Sequence, residues 1–465
     1  MRLFLSALFF LGSFAAQVEA RGDFLERQSR EFLGALIRLD TSNPPGNEII
    51  AANYLKNHLD QAGIESRIYT STGTRSSLIA RLKSSGAKRP LVLMCHSDVV
   101  PADPKEWSTP PFEAVEKGGY LYGRGAADIK SMCAVELAIL LHLHREKIPL
   151  QRDVIFFAQA DEENGGGDRH IEWLLKNHWD AFGNAEFAVN EGGETAWNGR
   201  RVTEVRVQAA EKEYLDIKFE ARGESGHSSI PREGNPVVSV ARAVARLGDY
   251  KAPARLLDIV RQFLSRQAEL TQDRDLRKII EAVLKAKPGP ELDEAADRLA
   301  VLKPDFAAML RDTLVPTILQ AGYKPNVVPA SAQAVLNARL LPGRSVEAFI
   351  QELVPALEDP VIEINYEASK SREAGPMPTD TELYRSAQSA AKKVLPGAAV
   401  MPFMSAWTTD SQDLRARGVI VYGIDPPLSA DDAERVHGKD ERINLEALDL
   451  YAKYLLEIVL QVAKR

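Results

Sequence analysis

The sequence predicts an α/β protein: a mostly parallel sheet covered by helices, with a second, α+β domain inserted into it. Three observations predict this. At 465 residues the chain exceeds one ordinary core, so two domains are expected. Before about residue 205, apolar β-rich runs alternate with helical patterns, as βαβ units do. Beyond that point the apolar period becomes two, the mark of half-exposed antiparallel strands.

Residues 25–62 carry two helical patterns, parted by DTSNPPGNE with its caps, prolines and glycine. Strands are predicted at 77–83 and 90–96. After Asp128 the run MCAVELAILLHLHRE is apolar almost all round, so its helix is buried against the sheet. Strand 153–160, helix 168–177 and strand 186–190 follow. EYLDIKFEARG then alternates as a half-exposed strand, and NPVVSVARAVARL is an amphipathic helix. Residues 254–315 read as charged helix, broken at KPGPE, and AQAVLNARLL as another alternating strand ending at PGRS. Residues 207–344 are therefore assigned to the inserted domain, and 21–206 plus 345–465 to the first. Strands near 361–366 and 419–422 and a long helix from about Asn444 complete the first domain. No internal repeat or low-complexity tract is evident.

Apolar residues make up 45% and charged residues 26%, as in soluble globular proteins. Net charge is −7 without a basic block, which argues against nucleic acid and anionic membrane as partners. Arg2, the apolar stretch Leu3 to Ala16 and the small residues Val18 and Ala20 form the pattern of a secretory signal over residues 1–20. The stretch is short for a bilayer span. The mature chain is expected to begin near Arg21 and to be secreted or periplasmic, with no stable membrane span. A retained anchor or a buried first helix is the alternative. Cys95 and Cys133 have no CxxC partner and lie in an apolar strand and on an apolar helix face, so buried, unpaired thiols are expected.

The chemistry-bearing residues are His96, Asp98, Asp128, Glu162, Glu163, Glu191 and His437, and most of them end apolar runs: LVLMCHSD, IFFAQADEENGGG, FAVNEGG. Such runs deliver ligands to the carboxyl edge of a parallel sheet. A mixed nitrogen and oxygen donor set of this size suits two zinc-like ions. Glu162 is left over as a carboxylate where a general base should sit. Singly, each element has a plainer reading. HxD is a satisfied core histidine with Asp98 as its hydrogen-bond partner, Asp128 after GRGAA a helix N-cap, and Glu162-Glu163 a solvated loop.

Together and in this order the motifs resemble a family of di-zinc hydrolases that includes aminoacylase, succinyl-diaminopimelate desuccinylase, glutamate carboxypeptidase and carboxypeptidase S. They are HSDVVPAD, YGRGAADIKS, DEENGG, GHSSIPREG, KPNVVPA, NARLLPG and VHGKDERI. The nearest resemblance is to the carboxypeptidase S and N-acyl-amino-acid hydrolase branch, which also carries a long helical insertion in its second domain, as 254–315 would be here. The resemblance makes the first domain catalytic and the inserted one a dimerisation and lid domain. It implies Asp128 as the carboxylate bridging two zinc ions, with His96 and Glu191 completing one site and Glu163 and His437 the other. It implies Glu162 as the base, Asp98 as the orienter of His96, and His227 as a donor to the reacting carbonyl, often from a dimer partner. Asn326 and Arg339 would hold substrate, Arg339 by a carboxylate. Many relatives have a second acid where Ile129 follows Asp128, and the peptide after that Asp is typically cis.

The expected function is hydrolysis, by metal-activated water, of an amide whose amine side bears a free carboxylate, in a peptide or an N-acyl amino acid. A homodimer is expected. With no GxSxG elbow, a covalent nucleophile has no support. An aminopeptidase or dipeptidase, which must hold a free amine, is the alternative. A metal-stabilised binding protein without catalysis is the third reading, and it predicts loss of the base or a ligand.

Overall fold

In a computed structural model, residues 24–164, 169–231, 233–357, 361–366 and 375–465 are described. The expected signal segment and the start near Arg21 lie outside them. Among the described residues no helix is long and apolar enough to cross a membrane. The chain forms two compact units. The first takes residues up to Gln208, Pro378–Val400 and Asp413–Arg465; the second takes Ala209–Met377 and Met401–Gln412.

The main sheet runs in the order Ser66–Thr70, Ser76–Leu82, Val154–Gln159, Leu91–His96, Phe187–Asn190, Ile420–Gly423, Val202–Glu211, Glu194–Trp197 and Pro427–Leu428. Its four central neighbours, from Val154–Gln159 to Ile420–Gly423, are parallel; antiparallel pairings extend it on both sides, and Pro427–Leu428 ends one side parallel to Glu194–Trp197. The parallel strands are the continuously apolar ones. Leu91–His96, Val154–Gln159 and Phe187–Asn190 are buried at every position, as strands covered on both faces must be. Helix Lys130–Arg145 is buried from Lys130 through Leu140, in keeping with its all-round apolar sequence. Helix Leu445–Ala463 is capped by the Asn444 side chain, which accepts from Glu446 N and Ala447 N.

Cys95 and Cys133 form a disulfide, against the expectation of free thiols. The strand ending at His96 and the helix beginning at Lys130 pack together and bring their Cα atoms to 5.3 Å. A separation of 38 residues carries no spacing motif that would announce this pair.

The second unit is built on a four-stranded antiparallel sheet, ordered Thr313–Ala321, Ser331–Leu340, Glu213–Arg222, Ile362–Tyr366. The period-two sequence sorts its faces. Leu215, Ile217, Phe219, Leu336, Ala338 and Leu340 pack against Val240, Ala243 and Leu247 of helix Pro236–Gly248 and against Phe349 and Leu353 of helix Val346–Leu357. The opposite face carries Tyr214 in register with Arg339, and Asp216 with Asn337. Two expectations are corrected here. The sequence returns the chain to the first domain at 345, yet helix Val346–Leu357 and strand Ile362–Tyr366 belong to the second unit. That strand pairs with Glu213–Arg222, and the return comes at Pro378. The strand is half-buried, a pattern that does not reveal which sheet it joins. Thr313–Ala321, whose start was read as the end of a helical region, is an edge strand with a register shift between Pro316 and Ile318, where an internal proline disguised it.

Candidate metal centre

The first unit gathers all six expected ligands and base residues at one edge of its sheet. His96 ends its strand and pairs in register with Gln159; Glu162 and Glu163 follow the latter strand, and Glu191 follows Asn190. Asp128 stands at the N-terminal end of helix Lys130–Arg145, after a turn that needs glycine. Gly125 has φ +84°, and a Cβ there would lie 2.8 Å from Val99 Cγ1 and 2.9 Å from Lys130 Cδ. The Asp128–Ile129 peptide is cis.

Asp128 is the centre of the arrangement. Its Oδ1 lies 3.1 Å from His96 Nε2 and its Oδ2 lies 2.9 Å from His437 Nε2. Glu191 Oε2 is 3.7 Å from His96 Nε2, and Glu163 Oε1 is 3.3 Å from His437 Nε2. Donor atoms of His96, Asp128 and Glu163 lie within 4.8 Å of one another, as do those of His96, Glu162 and Glu191. Glu162 thus shares a cluster with two expected ligands, and distance alone does not set it apart from them.

Asp98 departs from its expected role in one atom. His96 Nδ1 lies 3.0 Å from the Asp98 backbone carbonyl, while the Asp98 carboxylate is 3.7 Å away. A carbonyl can only accept, so Nδ1 carries a proton, and Nε2 is the nitrogen that faces Asp128 and Glu191. The Asp98 carboxylate instead accepts from Glu162 N at 3.2 Å, Glu163 N at 3.0 Å and Asn43 Nδ2 at 2.8 Å. Asn43 also donates to Asp161 Oδ1 and accepts from Arg75 Nη2, and Arg75 pairs with Asp161. Asp98, Asn43, Asp161 and Arg75 therefore hold the backbone that presents Glu162 and Glu163. Sequence reasoning passed over Asn43 and Arg75; the polar break DTSNPPGNE was the only signal, and it was read as a turn.

The electrostatics are those of a site short of positive charge. Burial raises Glu191 above the ordinary carboxylate range. Asp425 is pushed well up by burial and by the charge of Glu191. Burial opposes the charged form of Asp128, but hydrogen bonds with His437 and His96 outweigh it and hold the group low. His437 is pushed up to about 10 by its hydrogen bonds with Asp128 and Glu163. Two imidazoles and four carboxylates facing one another in a mostly buried cluster form a lining that cations would neutralise. Their mixed nitrogen and oxygen chemistry fits divalent ions of the zinc type.

The remaining expected residues lie in the second unit. His227 pairs with Val327 in a short ribbon, its Nδ1 2.8 Å from Ser229 Oγ, and Ser228 N donates to Asn326 O, so His227 and Asn326 flank one another. Arg339 stands on the sheet face away from the helices. Its guanidinium carbon lies 4.5 Å from the centre of the Tyr214 ring, its Nε donates to Asn337 Oδ1, and its Nη1 donates to Thr408 Oγ1. Asn337 Nδ2 and Tyr214 Oη both donate to Asp216.

The model of the peptidase family M20/M25/M40 matches residues 92–461. The chain is 27% identical over 376 residues to an N-fatty-acyl-amino acid synthase/hydrolase, PM20D1, of Xenopus tropicalis, covering 80% of this chain and 72% of that one. It is 27% identical over 368 residues to a probable carboxypeptidase S-like protein of Dictyostelium discoideum, covering 77% and 69%. Among solved structures it is similar to an M20 family metallo-carboxypeptidase of Sulfolobus solfataricus. The TM-score is 0.70 at 20% identity, covering 93% of this chain and 98% of the other.

Proposed function

The chain belongs to the peptidase family M20/M25/M40 and is a hydrolase of amide bonds, and from that premise we propose a dinuclear metallo-carboxypeptidase or N-acyl-amino-acid amidohydrolase. The observation that carries the proposal is Asp128. One carboxylate meets His96 through one oxygen and His437 through the other, so imidazoles from distant parts of the chain converge on a single bridging group. His96, Glu191 and Asp128 would hold one ion, and Glu163, His437 and Asp128 the other. When bound, such a pair of ions polarises the amide carbonyl and acidifies the attacking water. Glu162 takes the proton from that water and passes it to the leaving amine. Asp98 fixes the His96 tautomer through its carbonyl and the Glu162–Glu163 backbone through its carboxylate.

Arg339 is the proposed clamp for a carboxylate on the amine side of the scissile bond, with Asn326 as a further substrate contact. The Tyr214 face and the Asn337 and Thr408 hydrogen bonds support it by fixing the guanidinium's plane. Arg339→Ala should raise KM for substrates with a free carboxylate by about ten- to a hundred-fold, the worth of a charge-assisted pair. KM for the corresponding amides should change little. Equal losses for acid and amide would remove the clamp and favour an aminopeptidase reading.

The second unit supports a homodimer. Val315, Ile318 and Leu319 are 56%, 46% and 57% exposed on the edge strand Thr313–Ala321, an apolar edge of the kind that pairs with another chain. His227 would then act in the partner's site. Glu162→Gln and His227→Ala proteins should each be strongly impaired alone, and mixing them should restore part of the activity. Restoration failing under demonstrated subunit exchange places His227 outside the partner's site. Export is supported by the Cys95–Cys133 disulfide, since such bonds persist in oxidising compartments.

A further inference from the structure

Two buried charges outside the proposed ligand set bear on both halves of the cluster. Strands Tyr120–Tyr122 and Arg442–Asn444 pair antiparallel, with Arg442 opposite Tyr122. The turn 123–128 leaves one of them and the loop 437–441 enters the other, so the two segments lie side by side and Gly123 N donates to Glu441 O at 3.0 Å. Glu441 is fully buried and Arg124 nearly so. Glu441 Oε2 accepts from Arg124 Nη1 at 2.6 Å. Glu441 Oε1 accepts from the backbone N–H of Ala127 at 2.8 Å and of Asp128 at 3.0 Å. Arg124 Nη2 donates to the carbonyls of Gly438 at 2.9 Å and of His437 at 3.3 Å. The Trp107 ring lies 5.2 Å from the guanidinium carbon.

We propose that Arg124 and Glu441 are positioning residues that set Asp128 and His437 at the spacing a shared cation requires. The inference rests on the proposed dinuclear centre. Neither side chain is counted among the donors, and each acts through another residue's backbone. The carboxylate fixes the peptide N–H groups on the Asp128 side, the guanidinium fixes the carbonyls on the His437 side, and the bond between them ties the sides together. The geometry explains why His437, with φ at +61°, keeps its imidazole aimed at Asp128 although it stands in a polar loop. Groups that orient metal ligands in this way typically contribute about ten- to a hundred-fold to metal affinity.

The test is zinc titration of metal-free full-length protein against a competing chelator, for wild type, Glu441→Gln, Arg124→Lys and the double variant Arg124→Met/Glu441→Gln. Glu441→Gln leaves the buried Arg124 charge uncompensated and loses stability; the double variant removes both charges together and separates stability from positioning. Thermal unfolding of each metal-free protein is measured alongside. The expected result is that the double variant unfolds near the wild-type temperature, yet binds one of its two ions about ten- to a hundred-fold more weakly. Its kcat should fall while KM stays nearly constant, and Arg124→Lys, which keeps the charge but not the fork, should lie between. A folded double variant with wild-type affinity for both ions overturns the positioning role and leaves the dinuclear centre standing. A wild type that binds fewer than two ions overturns the dinuclear reading itself, and this inference with it.

Discussion

Glu162→Gln is expected to lower kcat by about 10²–10⁴-fold, the usual contribution of a positioned general base, while the protein retains two ions per chain. Glutamine keeps the shape of the side chain and loses its ability to take a proton. The backbone beneath it is held independently: Glu162 N and Glu163 N both donate to the Asp98 carboxylate, so the substitution leaves Glu163 in place. Because Glu162 clusters with His96 and Glu191, a ligand role is the competing possibility. Metal analysis separates the two. Activity lost with two ions retained identifies a base; one ion lost together with activity exchanges the roles of Glu162 and Glu163.

Asp128→Ala should have the broadest effect, loss of detectable turnover together with weakened binding of both ions. Asp128 faces both imidazoles, Oδ1 toward His96 and Oδ2 toward His437. His437→Ala, by contrast, should cost one ion. Inductively coupled plasma analysis of both variants checks this. An Asp128→Ala protein that keeps one tightly bound ion means that the carboxylate serves a single site.

The centre of the fold was legible because burial on both faces of a parallel sheet demands continuous apolar runs, and those runs end where ligands begin. LVLMCH ends at His96 and FAVN at the residue before Glu191, and both end where the sequence places them. The family resemblance supplied what pattern alone withholds. His437 lies in a polar loop with no periodicity, and nothing local to it points to Asp128. Three features were hidden for separate physical reasons. The Cys95–Cys133 bond joins a strand to a helix over a separation without a motif. The edge strand Thr313–Ala321 contains Pro316, which breaks the pattern of a strand. Asp98 was read as a side-chain partner of His96, whereas the ring nitrogen takes the carbonyl and frees the carboxylate for Glu162 and Glu163. A sequence shows which residue is near, and the choice between its backbone and side-chain acceptors is made only by packing.

The central claim is that cations held between His96, Asp128, Glu163, Glu191 and His437 enable hydrolysis of an amide bond. The most direct test is turnover of an N-acyl amino acid by chelator-stripped protein during stepwise addition of zinc. The account predicts no turnover in the metal-free protein and activity that rises to a plateau at two equivalents per chain. Turnover by the stripped protein equal to that of the loaded one would contradict it.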